Sequence, residues 1–150
     1  KSQTRLAFVQ YIFQLEFNEF ENFNSIDEFQ QHFYNSNIAS IGEKKEFKLR
    51  FNKNFLKNLS KNYIEAFEKE KIISRINDFT EINRKFDTWN GVLKSLIFAI
   101  ISELQMSEEN KFKIILNDYI NVSKSLISLQ ETKLMNAIIQ KFLNENKDIK

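Results

Sequence analysis

The sequence predicts an all-α protein, a single-domain helical bundle of about seven helices, and three observations carry that prediction. There is no proline and there are only two glycines in 150 residues, so almost nothing interrupts helices or forms tight hairpin turns. Isoleucine apart, β-branched residues are few, which works against strands. Apolar residues recur at three- and four-residue spacing along most of the chain, the period of a helix face. One domain of this length buries about two-thirds of its unfolded surface. Sixteen phenylalanines against five alanines mean that bulky rings fill the interior.

The first helix spans about residues 3–21. Within it "TRLAFVQYIFQLEF" carries two apolar arcs instead of one: Phe8, Tyr11, Ile12 and Leu15 form one, and Leu6, Val9, Phe13 and Phe17 the other. A surface helix carries a single stripe, so this one is either sandwiched in a bundle or turns its second arc to a partner. Ser25 and Glu28 make an S-x-x-E capping box for a short helix, "SIDEFQQHFY". The stretch 35–45 reads as a loop. A long helix is expected over 44–69, with Phe47, Phe51, Phe55, Leu59 and Tyr63 at i, i+4 spacing, and a shorter one over 72–79.

"DTWNG" (87–91) punctuates the chain, with Asp87 or Thr88 as the expected N-cap. Three helices follow, over 89–104, 109–126 and 131–144. The segment "LIFAII" is apolar nearly all round, which places its helix at the centre. The 13-residue stretch "VLKSLIFAIISEL" is too short to span a bilayer and contains Lys94 and Glu103. No membrane association is therefore expected. No secretory leader is read at the start, and the absence of cysteine suits a reducing compartment, so the expected location is the cytoplasm.

Catalysis has little support. The single histidine, His32, lies in a polar short helix, and without cysteine neither a Cys/His pair nor a His cluster for metal can form. Glu108, Glu109 and Asp118 suit helix caps or solvated surface. There is no Gly-rich loop to cradle a phosphate. The expectation is a protein that is not an enzyme and takes no cofactor or metal.

The charge distribution is more informative than the net charge of +2. Residues 44–61 hold seven basic residues, Lys44, Lys45, Lys48, Arg50, Lys53, Lys57 and Lys61, against one acid, Glu46. On one continuous helix Arg50, Lys53, Lys57 and Lys61 share an arc opposite the apolar face. Such a row either tracks phosphates or is the solvated side of an amphipathic helix. At the amino terminus Lys1 and Arg5 accompany Gln10 and Phe13: cations for phosphates, an amide for base edges and a ring for stacking, the groups that hold single-stranded RNA.

Several segments resemble the NusB family of bacterial antitermination factors. "TRLAFVQYIFQLEF" is similar to that family's A-R-x-x-A-V-Q-A-L-Y-x-x-E opening, and "FLKNLSKNY" (55–63) to its F-x-R-D-L-x-x-G-V segment. "LKSLIFAIISEL" (93–104), "KIILNDYINVSKSL" (113–126) and "KLMNAIIQKF" (133–142) resemble its L-R-x-x-x-x-E-L, V-x-I-N-E-x-V-x-L-A-K-x-F and K-F-V-N-G-V-L-D-x helices in the same order without gaps. The resemblance covers nearly all of residues 1–150, is weakest across 18–54, and implies two small helical subdomains packed as one unit. It also implies a non-enzymatic protein that joins a small-subunit ribosomal protein, NusE, to bind boxA-like single-stranded RNA. In that role it serves an antitermination complex with RNA polymerase and promotes read-through of ribosomal RNA operons.

Carried over by position, Arg5, Gln10, Phe13, Lys133 and Asn136 match the family's RNA-facing residues, and Lys1 belongs to its basic amino terminus. Phe13 stands for a tyrosine, Leu134 for a phenylalanine, Ala137 for a glycine, Lys111 for a proline and Phe98 for a common arginine. These departures keep open an alternative of the same fold, an interaction module whose RNA surface has decayed. A third class, an enzyme fragment, draws on the similar helical domain found at the front of some ribosomal RNA cytosine methyltransferases, and the expectation of no downstream catalytic domain argues against it.

Overall fold

The computed structural model describes residues 1–17, 25–34, 37–39, 46–80 and 85–145. Among these the architecture is all-α, with seven α-helices: α1 (Ser2–Glu16), α2 (Ile26–Phe33), α3 (Lys53–Ala66), α4 (Lys69–Phe79), α5 (Gly91–Gln105), α6 (Phe112–Ser123) and α7 (Leu129–Glu145). The one departure is a short antiparallel pair, β1 (Asn37–Ala39) with β2 (Glu46–Lys48), in register Ile38 opposite Phe47. It falls in the region expected as loop and helix start. Pairing there satisfies backbone groups that the connection between two helices leaves without helical partners.

α1 and α5 form the centre. α5 packs against α1, α3, α6 and α7, and α1 also meets α3 and α6. From Leu93 to Leu104 every α5 residue except Lys94 is buried, as the all-round apolar pattern requires. Both arcs of α1 are covered as well. Leu6, Phe8, Val9, Tyr11 and Ile12 are all buried, so the helix is sandwiched and neither arc is left as a broad apolar face. A single hydrophobic cluster includes residues of all seven helices. Its rings meet edge-on or tilted: Phe8 with Tyr63, Tyr11 with Phe29, and Phe98 with Phe17, Phe67 and, stacked, Phe86.

The caps explain where helices begin. Ser25 accepts from the Glu28 backbone amide, as its S-x-x-E pattern predicts. α3 starts at Lys53, not near residue 44, because Asn52 caps it, accepting from Phe55 N at 3.0 Å. The Asn52 amide is itself held by the Thr4 hydroxyl of α1 at 2.8 Å. Arg50 therefore precedes the helix and does not share its arc, while Lys44 and Lys45 lie outside the described residues. The cap of α5 is Asn90, accepting from Leu93 N at 2.8 Å. Asp87 and Thr88, the expected caps, lie in the 3-10 turn Phe86–Thr88. Ser128 and Glu131 form a reciprocal capping box that starts α7 at Leu129, two residues before the expected start. Residues 109–111, expected as the beginning of the sixth helix, form a 3-10 turn before α6.

No helix among the described residues is long and apolar enough to cross a membrane.

Candidate RNA-binding face

α1 runs antiparallel to α5, with Arg5 beside Glu103 at one end and Phe13 beside Gly91 at the other. This places Arg5 and Phe13, the two ends of the expected site on α1, about 12 Å apart along the helix.

At the first end, Arg5 is not a free cation. Its side chain is only 7% exposed, and all three guanidinium nitrogens donate to carboxylates. Nε and Nη2 meet Glu103, with Nη2 at 2.6 Å from Oε2, and Nη1 meets Asp118 Oδ2 at 2.6 Å. Tyr119 donates its hydroxyl to Glu103 Oε1 at 2.7 Å, and Ser2 donates to Asp118. The guanidinium also lies 5.5 Å from the Phe55 ring centre and 5.7 Å from that of Tyr119. Burial pulls the Arg5 pKa down, but hydrogen bonds and charge from Glu103 and Asp118 outweigh it and hold it above the ordinary value. One cation among two carboxylates leaves a negative cluster, which repels a phosphate. The sequence places Arg5 among the RNA contacts; in the structure its side chain is turned inward and joins α1 to α5 and α6.

Lys1, by contrast, is exposed, with its ammonium 5.5 Å over the Phe55 ring of α3. Gln10 and Phe13 are half-buried on α1. At the second end Phe13 lies so close to Gly91 that a Cβ there would come within 2.8 Å of its ring. Glycine at this position is therefore a packing requirement as well as punctuation. Asn90, next in the chain, donates its side-chain amide to Glu131 in the first turn of α7. The amino terminus of α5 thus joins Phe13 to the helix that carries Lys133 and Asn136. Lys133 is exposed. Asn136 is half-buried, and its Oδ1 is buried without a hydrogen-bond partner, so its carbonyl turns inward and only its amino group is left for a base edge.

Two features escaped the sequence reading. Lys94 holds its ammonium 4.6 Å over the Phe17 ring, adding a cation at the Phe13 end. A carboxylate inside an otherwise apolar helix demands a cation, and that is the signal in the sequence for the pairing of Glu103 with Arg5. Among the described residues no group of three or more His, Cys, Asp or Glu side chains could hold a metal.

The NusB family profile matches residues 2–144. The chain belongs to the NusB family. The transcription antitermination protein NusB of Rickettsia felis is 26% identical over 153 residues, covering 99% of this chain and 94% of that protein. The protein of the same name from Rickettsia typhi is 28% identical over 155 residues, with the same coverage. No solved structure gives a significant match. The three consecutive NusB-like segments fall on α5, α6 and α7, and the opening segment is α1, so the positions that resemble the family most are those of the central pair and the helices around it.

Two tyrosines make alkaline stability a readout of this packing. Burial, reinforced by Glu16 at Tyr63 and by Glu103 at Tyr119, raises both hydroxyls above the ordinary 10.0. The folded chain then holds these protons to higher pH than the unfolded chain does, so their contribution is intact below pH 10 and is lost as pH rises past it. Urea midpoints are expected to stay level from about pH 7 to 9 and to fall above 10. Tyr63→Phe should flatten that fall.

Proposed function

We propose that this NusB-family chain is a transcription antitermination factor. It binds boxA-like single-stranded RNA together with the ribosomal protein NusE, inside an antitermination complex with RNA polymerase that reads through ribosomal RNA operons. The observation that carries this reading is the family match over nearly the whole chain, with relatives that bear the antitermination name across the same length. The function is one of binding, without catalysis.

The contacts proposed are Lys1 and Lys133 on phosphates, Gln10 and the amino group of Asn136 on base edges, and the exposed part of Phe13 under a base. Arg5 supports this surface from within by fixing α1. Phe13 stacks as tyrosine does but lacks the hydroxyl's hydrogen bond. The experiment is a fluorescence titration of boxA RNA and a scrambled control at several salt concentrations, with and without NusE. Tighter binding of boxA in the presence of NusE is the expected result. Equal binding of the two RNAs under both conditions overturns it. Normal NusE binding to which RNA adds nothing would instead identify the interaction module with a decayed RNA surface.

A further inference from the structure

The exposed face of α3 carries a charge pattern that the proposed boxA contacts do not use. Lys53, Lys57 and Lys61 stand at i, i+4 and i+8 and are all exposed, forming a ridge with about 6 Å between successive positions. Asn54 and Asn58, also exposed, form a second ridge beside it, because a one-residue step turns the helix by 100°. Each edge of this face has a ring with a cation on it. At one, Lys53 Nζ lies 4.5 Å over Tyr34, which is 40% exposed. At the other, the Lys1 ammonium lies over Phe55. The acids nearby are few. Glu28 stands in the first turn of α2, Glu65 lies one turn beyond Lys61, and Asp27 pairs with Lys57 at 2.9 Å with both side chains well exposed. Such an exposed pair is weak and salt-screened, so a phosphate readily takes the carboxylate's place.

We infer that this face is a second, sequence-independent track for single-stranded RNA, with phosphates on Lys53, Lys57 and Lys61, base edges on Asn54 and Asn58, and Tyr34 available for stacking. It rests on the RNA-binding reading above and extends it to nucleotides flanking the boxA element, since Lys1 connects the track to α1. Regular cations beside amides and rings suit a strand that is held by its backbone and read only loosely. The buried Arg5 cluster, with its net negative charge, gives no such hold.

The test compares the wild-type chain with the Lys53→Gln/Lys57→Gln/Lys61→Gln and the corresponding triple Arg variants. Three RNAs are used: a short boxA RNA, the same RNA with a uridine extension, and the uridine strand alone, about twelve nucleotides long. For the wild type the extension is expected to tighten binding and steepen the salt dependence, at about 0.7 slope units per phosphate, or about two units for three lysines. The Gln variant should lose that increment, amounting to about tenfold weaker binding near physiological salt, with its melting temperature and short-RNA affinity unchanged. The Arg variant should keep it. An extension that adds nothing to the wild type, or a Gln variant that keeps the full slope, overturns the inference, as does loss of the increment in the Arg variant. If boxA is not preferred but uridine binding still drops in the Gln variant, the boxA reading falls and the track stands.

Discussion

Arg5→Ala is expected to lower the unfolding free energy by about 3–5 kcal/mol, the usual result of removing one partner from a buried ion pair. Truncation leaves Glu103, whose side chain is 4% exposed, and Asp118, 16% exposed, facing each other with no cation between them. It also removes the stem and guanidinium plane that lie against Phe55 and Tyr119. For a domain of this size the melting temperature should fall by roughly 10 °C. Urea unfolding measures the effect directly. A loss under about 1 kcal/mol would place Arg5 among surface arginines and reinstate it as a free cation. The second arm is a double-mutant cycle with Glu103→Gln. The two losses should sum to more than the double variant shows, because the second substitution removes the charge that the first strands. A variant that fails in RNA titrations because it has unfolded says nothing about phosphate contact, so stability must be measured first.

Phe98→Arg is the second large effect, and it runs against what the family resemblance alone would suggest. Arginine is common at this position in the family, so the substitution looks like a restoration. In this chain Phe98 is fully buried in α5, stacked on Phe86 with ring centres 5.1 Å apart and touching Phe67 and Phe17. Removing the ring alone costs about 3–5 kcal/mol. A guanidinium placed among three phenylalanine rings must also shed its water, a further penalty. The expected result is a chain without a cooperative thermal transition at 37 °C. Phe98→Leu should remain folded, weakened by the smaller volume. A stable, cooperatively folding Phe98→Arg protein would show that the core around α5 opens to water and would contradict the packing described here.

These two residues show what the sequence makes legible. Helical class, the central place of "LIFAII" and the capping box at Ser25 follow from period and local chemistry, and they hold because neighbouring residues on the same helix decide them. The box at Ser128 and Glu131 was equally readable, since it too lies within four residues. α3 starts later than the period predicts because the i, i+4 phenylalanines continue upstream of Asn52, and hydrophobic period alone does not show where a cap ends a helix. What ends it is an asparagine cap whose own amide is held by Thr4, 48 residues away.

The candidate site divides in the same way. The sequence by itself determined an all-α chain, a doubly apolar first helix, a basic stretch around α3 and the absence of cysteine, because each depends on composition or on spacing within one helix. Only the tertiary structure decided which cations are free. Arg5 in α1 and Lys1 at its N-cap are four residues apart and look alike in sequence. One meets Glu103 and Asp118 from α5 and α6, 98 and 113 residues away, and the other stays in solvent over Phe55. Whether a charge is spent inside or offered outside depends on which helices pack around it, and a local pattern carries no record of that. The opening helix is consequently held from within by its arginine, and its available cation is Lys1.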